Sequence, residues 1–200
     1  ARGISSELAL ANGKEQAIIL WDITKFYDNI SPFQIVGSFL EHEGPFAALS
    51  AAWLGHQQPR KLKVQGGYSR DICKFGISII AGCTSSTTIA RALLKSPIQA
   101  AINCSGGRVK HGQHVDDVSQ TSEASFQQVL QDSLEAGIEF ALCIKKLGFE
   151  ISPKSVVLAT SSALTTGILK GLEKENILIK SARSNQDLDI ERAANGLRAA

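Results

Sequence analysis

The hydrophobic pattern of this chain changes period several times, and each change marks an element. Residues 4–11 read as a short helix. Ala17 to Ile23 is an apolar run broken only by Asp22, which predicts a buried strand ending on a carboxylate. Ser31-Pro32 is a helix start, a capping side chain followed by proline at the first helical position. The helix it opens is expected to bury Phe33, Val36, Phe39 and Leu40 on one face and to stop at Gly44-Pro45. A second helix is expected over about 46–56, then a hairpin of 60–65 and 69–75 around Gly66-Gly67.

A Gly-, Ser- and Thr-rich segment, Gly76 to Thr88, runs into a helix reaching about Asn103. Val109 to Ser119 predicts a hairpin with an acidic tip, His114-Val115-Asp116-Asp117-Val118. A long amphipathic helix follows from near Ser122, its apolar face carrying Phe126, Val129, Leu130, Leu134, Ile138, Leu142 and Ile144. Lys145 and Lys146 suit its negative end, and Gly148 is the expected residue just beyond it. Val156 to Thr160 and Ile177 to Lys180 are candidate strands, and Glu191 to Ala200 looks helical. Hairpins alternating with helices imply an α+β fold, an antiparallel sheet with helices packed on one face. Asp22 and the Asp116-Asp117 turn would lie on adjacent strand ends of such a sheet.

Composition narrows the classes. At 44% hydrophobic and 20% charged residues, the 200-residue chain has the make-up of one globular domain with a real core. No stretch approaches the roughly 20 apolar residues of a membrane span, so no membrane association is expected. The net charge of +2 does not by itself argue for nucleic acid. Its distribution does more. Arg60, Lys61, Lys63, Arg70 and Lys74 are offset within that segment only by Asp71. Cys73, Cys83, Cys104 and Cys143 lack C-x-x-C spacing and read as reduced, mostly buried thiols of an intracellular protein. The chain has no methionine and opens inside a helical-looking segment, which is expected of a piece of a larger protein.

Three carboxylates gathered on one spot define the chemistry to look for. At about 4 Å each pair would repel by roughly 4 kcal/mol at a surface-like dielectric, so the cluster calls for cations. Hard oxygen ligands of this kind suit Mg²⁺ shared with substrate phosphates, the apparatus of two-metal phosphoryl transfer.

In their order along the chain, these blocks resemble the palm domain of a reverse transcriptase of the non-LTR retroelement and group II intron type. Asp22 through Tyr27-Asp28 resembles its first palm motif, and His114-Val115-Asp116-Asp117 its aromatic-x-Asp-Asp box. Leu147-Gly148 through Lys154-Ser155 resembles the leucine-glycine and lysine block, and Gly76 to Ser86 occupies the place of the glycine-rich block. The likeness covers roughly 17–160. It departs at Ala81, where glutamine is usual, at His114, where another aromatic is usual, and at Leu188-Asp189, where leucine-glycine is common.

The resemblance implies RNA-directed DNA synthesis from deoxynucleoside triphosphates on an RNA template and DNA primer, with two Mg²⁺ ions or Mn²⁺ in their place. Asp22 and Asp116 would be the catalytic metal ligands, helped by the backbone carbonyl of Ile23, with Asp117 the auxiliary carboxylate. Tyr27 would screen out the ribose 2′-hydroxyl, Gly82 would admit the nascent base pair, and Lys154 would reach the nucleotide phosphates. Arg60, Lys61 and Lys63 are candidates for phosphate-backbone contact. Residues 1–160 would be the palm with fingers-side elements, and 161–200 its end and the start of a connection to a thumb. Without fingers and thumb the chain alone is not expected to polymerise. Two alternatives stay open: a viral-type RNA-dependent RNA polymerase palm, and a decayed retroelement remnant that folds without catalysis.

Overall fold

In the computed structural model, which describes residues 8–41, 50, 54–55, 58, 61, 63–70, 79 and 84–182, the chain forms an α+β fold around one five-stranded mixed sheet. Strand β1 is Glu15–Trp21, followed by the short helix α1, Phe26–Asn29, and by α2, Pro32–Glu41. Strands β2, Lys63–Val64, and β3, Gly67–Tyr68, make a separate two-stranded hairpin. Helix α3 is Thr84–Cys104, β4 is Lys110–His114 and β5 is Asp117–Ala124. The long helix α4, Phe126–Lys146, leads to β6, Val156–Ala159, then to α5, Ser162–Lys174, and β7, Lys180–Ser181. The sheet order is β4-β5-β1-β6-β7, with β1 in the centre.

Alternation along β1 divides the sheet into two unlike faces. Ala17, Ile19 and Trp21 are buried, and Gly137 of α4 lies against Ile19, Trp21 and Leu172. Trp21 also stacks on Phe140, ring centroids 5.4 Å apart. The opposite face carries Gln16 and Ile18, both buried, and Leu20, Ser119, Thr121, Val156 and Leu158, all half-buried. Among the described residues, one face is therefore a packed core under α4 and α5, and the other is less deeply buried toward the end of β1 that leads to Asp22.

The end of α4 follows the expected chemistry. Gly148 takes a φ of +82°, its N–H reaching the Lys145 carbonyl at 2.9 Å and the Phe149 N–H that of Ile144 at 3.1 Å. Phe149 is then buried against Phe26 of α1, ring centroids 5.0 Å apart, which ties this helix end to the segment after β1. At the start of α2, Ser31 Oγ accepts the Gln34 N–H at 3.3 Å, and Gln34 Oε1 accepts the Ser31 N–H at 2.6 Å. That reciprocal capping box extends further, because Gln34 Nε2 donates to the Leu147 carbonyl at the end of α4.

Several expectations shift. Helix α2 buries Ile35 and Phe39, whereas Phe33 is 87% and Leu40 69% exposed, so its inner stripe is rotated from the one expected. Helix α4 starts about four residues later than expected, because Ser122 to Ala124 pair with β1. Its buried stripe runs through Val129, Ser133, Ala136, Phe140 and Ile144, and Leu142 is exposed. Small residues Ala136, Gly137 and Ala141 let α4 lie close on the sheet, which displaces the larger leucines to its flanks. Asp132, also on the inner side, is held by Arg108 Nε at 2.8 Å and Gln128 Nε2 at 2.8 Å. The hairpin turns one residue earlier than expected, around Gln65-Gly66, with Lys63 paired to Tyr68. Helix α5 was not expected at all, and it makes β7 run parallel to β6. Cys104 is exposed and Cys143 half-buried, not the buried thiols expected. Gly44-Pro45, Cys73, Cys83, most of 46–56 and the helix expected at 191–200 lie outside the described residues.

Candidate functional site

The β1–β5 ladder ends on the pair Trp21↔Val118, and the β4–β5 ladder ends on His114↔Asp117. One step further along β1 puts Asp22 beside Asp117, with Asp116 in the adjoining two-residue turn. Asp22 and the distant Asp116-Asp117 pair thus come together at one end of the sheet. They act on one another: the carboxyl of Asp117 is pushed above its ordinary value by partial burial, then by the charges of Asp116 and Asp22, against a smaller pull from His114. No ion pair between described residues reaches any of the three.

Backbone strain marks the same place. Among the described residues, Lys25, Val115 and Asn176 are the non-glycine residues with positive φ. Asn176 ends α5, an ordinary place for asparagine. Lys25 (φ 47°) turns the chain from Asp22 into α1, and Val115 (φ 58°) immediately precedes Asp116. A left-handed conformation costs roughly 1–2 kcal/mol for such residues, and for a β-branched side chain it is an outlier. Gln113 braces the turn, its Nε2 donating to the Val115 carbonyl at 2.8 Å. Strain of this kind concentrates where a site over-determines the backbone.

Tyr27 follows within α1. Its hydroxyl pKa is raised by burial and then by Asp116 and Asp117, which sets the phenol beside the acidic pair. Its carbonyl accepts the Ile79 N–H at 3.0 Å, tying the glycine-rich segment to α1. Beyond β1, Ile23 bridges to Ile151. The flanking bonds use the Asp22 carbonyl (to Ser152 N–H, 2.8 Å) and the Thr24 N–H (to the Glu150 carbonyl, 2.9 Å). Alternation of the backbone then turns the Ile23 carbonyl toward the β5 side, where the acids are.

Lys154 lies in a bulge opposite the end of β1. Leu20 pairs with Val156 but Ile23 with Ile151, so the second strand holds two more residues than β1 over this stretch. The four residues Ser152-Pro153-Lys154-Ser155 thus stand opposite Trp21 and Asp22, with Lys154 exposed. Pro153 cannot donate to a ladder, which accounts for the interruption. Bulges beside functional sites commonly re-aim a side chain.

The basic hairpin stands apart in its own two-stranded sheet, with Lys61 and Lys63 exposed. Gly82 and Arg60 lie outside the described residues. The roles of Ser155 and Gln34 are side-chain bonds to distant backbone and leave no local signal in the sequence, and Gln113 braces a turn whose strained conformation the sequence does not show.

The donor set of Asp22, Asp116, Asp117 and the Ile23 carbonyl consists of hard oxygens, which fits Mg²⁺ or Mn²⁺ and not a thiol-preferring metal. Among the described residues no three His, Cys, Asp or Glu side chains close into a ready-made metal cage. An open edge agrees with the way Mg²⁺ is usually held, by one or two carboxylates together with water and substrate phosphate. Among the described residues no helix is long and apolar enough to cross a membrane. The chain matches no protein-family model and no curated protein.

Proposed function

We propose that this chain is the palm of a reverse transcriptase and that its acidic edge transfers deoxynucleotides to a primer 3′-end on an RNA template. The observation that carries the reading is the meeting of Asp22 and Asp117 on neighbouring strand ends, with Asp116 in the turn and the Tyr27 phenol against the pair. A chain with no use for cations has no reason to keep three mutually repelling carboxylates around a strained turn and the strand end beside it.

Bound Mg²⁺ supplies activation of the primer hydroxyl and neutralises charge on the departing pyrophosphate. Asp22 and Asp116 are the side chains that would hold it. Asp117, with its raised pKa, contributes negative charge from the second position of the pair. Tyr27 would stand where the sugar of an incoming nucleotide lies and exclude a 2′-hydroxyl by bulk, selecting against ribonucleotides. Lys154, exposed in the bulge opposite Asp22, would present its ammonium to the phosphates as a point charge. The half-buried sheet face beside the acids would receive nucleic acid. Lys61 and Lys63 offer cations for its backbone.

Primer extension on an RNA template by the polypeptide that contains this chain tests the reading. Asp116→Asn is expected to abolish extension while leaving the thermal transition in place. Extension by that variant at the wild-type rate would reject the assignment. Tyr27→Ala is expected to admit ribonucleotides; unchanged sugar choice would favour the viral-type RNA polymerase alternative.

A further inference from the structure

Central strand β1 is held at both ends by hydroxyl side chains that flank β6. At its start, the Thr160 hydroxyl accepts the Gln16 N–H at 3.0 Å and lies 3.3 Å from the Gln16 carbonyl oxygen. At its end, the Ser155 hydroxyl accepts the Asp22 N–H at 3.0 Å and donates to the Asp22 carbonyl at 3.2 Å. Each hydroxyl takes the place of a backbone partner just where the β1–β6 ladder stops. Both clamps accept a β1 N–H on a hydroxyl, but the Thr160 hydroxyl also donates to the Glu15 carboxylate, and the Gln16 carbonyl takes the Thr160 N–H. Only the second clamp holds the main chain of an acid of the proposed site.

We infer that Ser155 is a positioning residue, fixing the main chain of Asp22 so that its carboxylate faces Asp116 and Asp117 and can share a divalent cation with them. The inference rests on the functional reading above. Ser155 is 1% exposed, so its hydroxyl is shielded from competing water. Its N–H closes a turn on the Ser152 carbonyl at 3.0 Å, and the Lys180 N–H of β7 donates to its own carbonyl at 3.0 Å. The clamp is thus anchored to two further segments. The Asp22 carbonyl also accepts the Ser152 N–H, so both main-chain polar groups of Asp22 are committed to the bulge. A carboxylate repelled by two neighbours would otherwise turn away. With its backbone committed, only its own side-chain torsions remain free.

The Thr160 clamp, at the far end of the same strand, provides the control. Mn²⁺ binding by the full chain, read from the free-ion electron paramagnetic resonance signal, is compared for wild type, Ser155→Ala, Thr160→Val and Asp116→Asn at a temperature where all are folded. Loss of an outer-shell support typically weakens metal affinity 10–100-fold, and Ser155→Ala is expected to do so by about 10-fold or more. Thr160→Val removes the hydroxyl at the other end of β1 and is expected to lower the melting temperature but to leave Mn²⁺ affinity unchanged. Wild-type affinity in Ser155→Ala, or an equal loss in Thr160→Val, would overturn the positioning role while leaving the functional reading intact. Absence of any wild-type binding that Asp116→Asn removes would overturn the functional reading and the clamp with it. If Ser155→Ala does not fold, Ser155→Cys, which keeps a weak donor and acceptor in similar volume, carries the same comparison with a smaller expected loss.

Discussion

Asp117 bears the electrostatic cost of the acidic edge. Its folded pKa lies above the ordinary 3.8, so between those two values the native chain binds more protons than the unfolded one. Stability therefore falls as pH rises through that window, and the full penalty is present above it. Asp117→Asn removes the penalty. Without divalent cations, the variant is expected to melt higher than wild type at pH 7, with the difference shrinking as pH is lowered toward 3.8. Equal melting temperatures at pH 7 would mean that the three charges do not meet. At this scale the sequence was informative wherever chemistry is local: Asp22, Tyr27, Asp116, Asp117 and Lys154 stand in blocks with recognisable spacing. It was silent on Ser155, a serine in a Ser-Pro-Lys-Ser stretch that looks like any loop. It also gave no hint that Val115, a residue suited to strands, takes a left-handed conformation.

Among the elements, α5 shows why propensity misleads. Its sequence holds Gly167 and Gly171 with Thr165 and Thr166, poor helix formers in sum. The helix forms because Leu164, Ile168 and Leu172 are buried on one face and because its glycines let it approach α4. A Cβ on Gly171 would lie 2.4 Å from Leu134 Cδ2 and 3.2 Å from its Cγ, whereas one on Gly137 would meet Ile19 and Trp21 at 3.4 Å, an ordinary contact. Gly137→Ala is expected to gain up to about 1 kcal/mol from helix propensity. Gly171→Ala is expected to lose about 1–3 kcal/mol from overpacking, partly offset by the same gain. Chemical denaturation of the two variants checks the contrast, and a stabilised Gly171→Ala would show that α5 does not pack there. The strands of the acidic hairpin and the end of α4 were legible because turn residues and Gly148 punctuate them. The start of α4 was not, because pairing of Ser122 to Ala124 with β1 is a tertiary contact that overrides helical periodicity.

Across the whole molecule, the α+β class was readable from alternating hairpins and helices, but the parallel β6–β7 pair depended on the unseen α5. What the fold adds to the sequence is asymmetry. Among the described residues, helices cover one face of the sheet more deeply than the other, and the central strand delivers Asp22 to the end of the sheet where the hairpin turns. Order in the sheet, β5 next to β1, is what converts two separated sequence blocks into one site. Iron-directed backbone cleavage tests that convergence most directly: Fe²⁺ bound in place of Mg²⁺, with ascorbate and peroxide, cuts the chain beside the bound ion. Two groups of cuts are expected, one around Asp22 and one around Asp116-Asp117, both suppressed by excess Mg²⁺ and lost in Asp116→Asn. Cuts at only one of these places, or cuts that survive Asp116→Asn, would contradict a shared cation site and the polymerase reading built on it.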